Sequence, residues 1–142
     1  MRISPVRVIV GLVLLAAAIQ LIPIQRDNPP VSAEINLTED LELVFRKACY
    51  DCHSNETSWP WYSNIAPVSW LVVHDTRSGR RHLNFSEWGL LPEKKRHELK
   101  NEIWDTVEEG EMPLWFYVLV HSEAKLTEDE RTLIQHWSRQ SD

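Results

Sequence analysis

The run Leu41-Glu42-Leu43-Val44-Phe45-Arg46-Lys47-Ala48-Cys49-Tyr50-Asp51-Cys52-His53 places Leu41, Val44, Phe45, Ala48, Cys49 and Cys52 at i, i+3, i+4, i+7, i+8 and i+11. That spacing is one face of an α-helix. Thr38 stands as its N-cap, and Glu39 and Asp40 follow in the first turn, where the helix dipole favours negative charge. The two thiols fall one turn apart on the apolar face with a histidine directly after the second, the spacing of covalent c-type haem attachment. Thiols so placed can meet the two vinyl groups of a haem while the next imidazole reaches the iron as proximal ligand.

Outward from this run, the chain reads as helices joined by aromatic loops. A second helix opens at Pro67 and runs to about Asp75. A third begins at Pro92, carries Leu99, Ile103 and Val107 on one stripe and ends at Gly110. Pro113 to Val120 reads as a short apolar helix or a buried strand. Thr127-Glu128-Asp129-Glu130 is a capping box, followed by Leu133, Ile134 and Trp137 at helical spacing. No alternating apolar–polar pattern of strands is present, so the expected fold is all-α. With 142 residues, 43% apolar and 25% charged, the chain holds one domain and excludes wholesale disorder and a polytopic membrane protein.

The N-terminus carries a different signal. Val8 to Ile24 is apolar apart from Gly11, Gln20 and Pro23. The expectation is one uncleaved transmembrane helix within a membrane anchor at 1–24. A cleaved signal peptide is the alternative, but Ala16-Ala17-Ala18 lies inside the run and Val31-Ser32-Ala33 lies well beyond it. Arg2 and Arg7 precede the run, which directs the remainder to the periplasmic or extracytoplasmic side of a bacterial cytoplasmic membrane. Gln25 to Leu37, with Pro29-Pro30, reads as a tether reaching roughly 40 Å when extended. The domain is then 38–142. Setting Arg2 and Arg7 aside from 15 basic and 21 acidic side chains leaves a net charge of −8. This argues against nucleic acid as a partner and suits a redox protein with a basic docking face.

Other uses of Cys49 and Cys52 fit less well. A thioredoxin-like pair needs a βαβ context that is missing, and zinc lacks a second cysteine pair. The sixth position on iron takes Met or His in a low-spin carrier. Met112, in Gly110-Glu111-Met112-Pro113, is the one methionine besides Met1. His74 and His121, beside apolar runs, are its rivals, and an open or water-bound iron is the third option. Seven tryptophans are many for this length. Trp59 and Trp61, just after the haem motif, are candidates to wall the macrocycle, with others filling a small core. Arg80 and Arg81 are candidate partners for the propionates, since a guanidinium binds carboxylate bidentately.

The run Cys49-Tyr50-Asp51-Cys52-His53-Ser54-Asn55, then Thr57 to Trp70 with its Trp59-Pro60-Trp61-Tyr62, then Gly79-Arg80, Leu83-Asn84-Phe85-Ser86-Glu87-Trp88 and Gly110-Glu111-Met112-Pro113, resembles the bacterial haem-binding domain family of cytochrome c-like proteins. The resemblance covers nearly everything after the tether. It implies a single covalently attached haem c in a helical, cytochrome c-like domain exported by bacteria, with Met112 matching the family's methionine motif. Leu114 stands where many relatives have a second Pro. The family is defined mainly by haem binding, so the resemblance supplies no reaction.

The resulting expectation is a membrane-tethered monohaem electron carrier rather than an enzyme. Cys49 and Cys52 are its thioether anchors, and His53 and Met112 its iron ligands. The alternative is a haem-based sensor or small-ligand binder in which Met112 is displaceable. Peroxidase activity is a lesser form of that alternative, because no distal His–Arg pair can be read from the spacing.

Overall fold

The computed structural model describes residues 4–140. Arg2 lies outside them. Among the described residues there are helices and no strand. The α-helices are α1 (Pro5–Ile19), α2 (Glu39–Ala48), α3 (Tyr50–His53), α4 (Val68–His82), α5 (Glu93–Glu108), α6 (Trp115–Val120) and α7 (Glu128–Ser138). Three short 3₁₀ helices, Trp61–Asn64, Phe85–Leu90 and Ser122–Ala124, fill the connections.

The core is aromatic. Phe45 of α2 is fully buried, 5.2 Å from the rings of both Phe85 and Trp137. Tyr50 stacks on Phe85 at 5.5 Å, and Trp88 lies 6.1 Å from Trp137. Leu99, Ile103 and Val107, the stripe expected on α5, close the other side. The capping box of α7 forms as expected: the Thr127 hydroxyl accepts from the Glu130 amide, and Glu130 accepts from the Thr127 amide. Ile134 and Trp137 turn inward, whereas Leu133 remains partly exposed.

Several expectations change. The helical face from Leu41 to Cys52 is divided, because Cys49 (φ −126°, ψ −39°) ends α2 and α3 starts at Tyr50. The second helix runs on to His82, since no breaker follows Asp75 and Arg80, Arg81 and His82 suit the negative end of its dipole.

The expected transmembrane helix is not supported. Among the described residues no helix is long and apolar enough to cross a membrane. α1 has 15 residues, about 22 Å of helix against roughly 30 Å of hydrocarbon. It stops because the Gln20 amide bonds back to the Ala16 carbonyl and pairs with both the N–H and the C=O of Ala66, and Pro23 follows. The single-pass membrane location inferred from that helix loses its support as well.

The segment 25–37 also differs from a free tether. Ser32 and Ala33 both donate to the Ser86 carbonyl, Ile35 donates to the Phe85 carbonyl at 2.9 Å, and the Ile35 side chain is buried. Arg26 bonds to Ser63 and Asn64, and Asn28 donates to the Thr57 carbonyl. Its backbone groups find partners on the domain, so the strap follows the surface.

Because Phe45 joins α2, the Phe85 turn and α7, Phe45→Ala should remove about 3–5 kcal/mol of stability. Urea denaturation of the purified protein checks this; a midpoint within error of the parent would contradict the central role of that ring.

Candidate functional site

α3 is a single turn held between α2 and α4. The side of α4 that meets it carries Gly79, where an added Cβ would stand 2.5 Å from the Cys52 carbonyl oxygen. No other residue type allows that approach. A glycine inside a long helix costs about 1 kcal/mol relative to alanine, which is the sequence signal that close packing is required there.

The approach brings the end of α4 to His53. The Nδ1 atom of His53 lies 3.1 Å from the Leu83 carbonyl. A carbonyl only accepts, so Nδ1 carries the hydrogen and Nε2 keeps its lone pair. Burial holds the imidazole below the usual histidine range, against the partial opposing effect of the Leu83 and Gly79 carbonyls, so it is neutral at physiological pH. Such a bond both orients the ring and raises its basicity as a ligand.

Cys49, Cys52, His53 and Met112 line one cavity of about 300 Å³, together with Gly79, His82 and Tyr117. A deeper extension of about 90 Å³ reaches the core at Phe85 and Leu99 and again touches Cys49, His53 and Met112. Burial pushes the Cys49 thiol up to about 12 and the Cys52 thiol to about 11, with the neighbouring negative charges adding to the effect. Reactive dithiols have depressed values, so this pair does not suit thiol exchange. Among the described residues no three His, Cys, Asp or Glu side chains gather around a metal-ion position, which disfavours zinc.

Met112 is positioned by α5. Gly110 closes the helix at φ 75°, a conformation that L side chains rarely adopt, and the amides of Glu111 and Met112 both donate to the Thr106 carbonyl at 2.9 and 3.1 Å. α6 then crosses the cavity with no buried residue of its own. Two phenols fasten it: Tyr117 donates to Asp51 at 2.7 Å, and Tyr62 bonds to Nε2 of His121 at 2.6 Å. Burial, reinforced by the Asp51 carboxylate, raises the Tyr117 phenol.

The remaining candidates lie elsewhere. His121 bonds to Tyr62, bonds to Glu123 and stacks on Tyr117 at 4.4 Å, and it lines none of these cavities. His74 is exposed. His82 does line the cavity, at the end of α4, with Nε2 donating to Glu102 at 2.7 Å. Arg80 does not meet the cavity. Its guanidinium is spent on the Ser54 and Asp27 carbonyls, Asn28 and Thr57. Trp59 donates to Asn28 rather than walling the cavity, and Trp61, 74% exposed, lines only a neighbouring pocket. The main cavity is walled by Tyr117, Met112, Leu114 and Ala48 instead.

The donor set fits a haem: two thiols on one turn, a neutral imidazole with a free Nε2, a thioether on the same cavity, and a glycine whose missing Cβ lets α4 close on the Cys52 carbonyl. A family model described as a haem-binding domain matches residues 14–140. No curated protein and no solved structure matches the chain.

Gly79→Val should push α4 off the Cys52 carbonyl and lower the haem carried per chain severalfold, as read by the pyridine haemochrome spectrum. Gly11→Val, where nothing lies within 4 Å of the added Cβ, should leave it unchanged. Equal loading of the two variants would contradict the close-approach argument.

Proposed function

The chain belongs to the haem-binding domain family, and we propose that within it this protein is a monohaem c-type electron carrier in which Cys49 and Cys52 hold the haem as thioethers, His53 is the proximal ligand and Met112 the sixth. The observation that carries this reading is that all four side chains line one cavity. A bound haem supplies one-electron cycling between ferrous and ferric iron. Around it, the chain's residues orient and enclose. The Leu83 carbonyl fixes the His53 ring, and the Thr106 carbonyl fixes the backbone of Met112. With His53 and Met112 both on a bound iron, no place would be left for a substrate at the metal, which suits a carrier rather than an enzyme.

Acidic side chains at the cavity support a partner with a basic face. Asp51 and Asp75 line it and Glu102 borders its extension, with no Lys or Arg among the lining residues. Electron transfer to such a partner should slow as salt rises. Stopped-flow rates with a basic redox protein check this; a rate independent of ionic strength would remove the electrostatic part of the proposal.

Met112→Ala should abolish the sulfur–iron charge-transfer band of the oxidised protein. Persistence of that band in the variant would overturn the ligand assignment, and its absence from the parent protein would move the sixth position to His82, the other histidine on the cavity. A second reading, a haem sensor with a displaceable Met112, is favoured by α6, which follows Met112 and buries none of its residues. Carbon monoxide added to the reduced protein separates the two: a carrier leaves its spectrum unchanged, whereas a sensor binds rapidly and completely.

A further inference from the structure

A second cavity of about 380 Å³ opens beneath α6. Rings of Trp61, Tyr62, Phe116 and Tyr117 form its walls, with Leu71 on α4. It meets the first cavity at Asp51, Cys52, Asp75, Leu114 and Tyr117, yet touches none of Cys49, His53 and Met112. A haem held by Cys49, Cys52, His53 and Met112 would leave this second space beside it, since of those four residues it touches only Cys52.

Its polar chemistry is one-sided. No Lys, Arg or His lines it. Its phenol hydroxyls and that of Thr57 are already committed: Tyr117 to Asp51, Thr57 to the Asp51 carbonyl, and Tyr62 to His121. The Asp75 carboxylate, by contrast, makes no hydrogen bond or ion pair among the described residues. Aromatic walls with one vacant acceptor select a flat ring that brings its own hydroxyl donor.

We propose that this cavity binds a small phenol of the hydroquinone class, with its ring among Trp61, Tyr62, Phe116 and Tyr117 and its hydroxyl donating to Asp75. The inference rests on the first cavity holding the haem. The bound ring then lies against the Cys52 edge of the macrocycle, away from the iron.

The test is calorimetric titration of 2-naphthol into holoprotein whose haem content has first been fixed by its pyridine haemochrome spectrum. A failure of the haem reading appears in that spectrum, before any titration. The expected result is one saturable site. Leu71→Trp, at a position 51% exposed on α4, should fill the cavity and weaken binding at least about tenfold with the haem absorption unchanged. Asp75→Ala should do the same, and naphthalene, which lacks the hydroxyl, should bind at least about tenfold more weakly than 2-naphthol. With haem intact, any of four results would overturn the proposal: no saturable binding, unchanged affinity in Leu71→Trp, equal affinity for naphthalene, or displacement of the naphthol by imidazole bound at the iron.

Discussion

The contact on which the rest of the site depends is the approach of Gly79 to the Cys52 carbonyl. Side-chain-free packing at that point lets a fifteen-residue helix lie directly on a four-residue one. α3 is too short to hold its own shape in water, so its geometry is borrowed from α4. The same contact delivers the Leu83 carbonyl to His53, which turns an ambiguous imidazole into one with a defined tautomer. Local structure, packing and ligand chemistry meet at one missing methyl group.

Around that contact the protein spends its strongest polar groups on itself. Arg80 gathers four acceptors from the strap, from the loop after α3 and from Thr57. Charge-assisted bonds of this kind are worth more than neutral ones. They fix the edge of the site by joining segments about fifty residues apart in sequence. Asp51 plays the corresponding part on the other side, holding the Ser58 amide and the Tyr117 hydroxyl. The arginine and the carboxylate therefore act as braces.

Much of this was legible from residues 41 to 53 and from the capping box at Thr127, because short-range periodicity and capping depend on neighbours in sequence. Helix positions, the α5 stripe and the Cys–Cys–His turn follow from such local rules. The role of Arg80 did not, since its acceptors include backbone carbonyls, which carry no sequence signal. Trp59 and Trp61 lie off the main cavity for a related reason: Trp59 bonds to Asn28 of the strap, and Trp61 faces the neighbouring pocket that adjoins the motif at Cys52. The end of α1 is decided by Gln20 meeting Ala66, a pairing that no hydropathy window contains. Gly79 carries a signal of its own, a glycine in mid-helix whose cost implies a close neighbour.

The burial of the two thiols also bears on the chain before any haem arrives. With values pushed up to about 12 and about 11, both groups rest as thiols at neutral pH, where an ordinary cysteine is already a few per cent thiolate. Oxidants and disulfides attack the thiolate, so the pair is kinetically insulated. The fold thus holds two thiols one turn apart in the protonated form, in which they are slow to join each other.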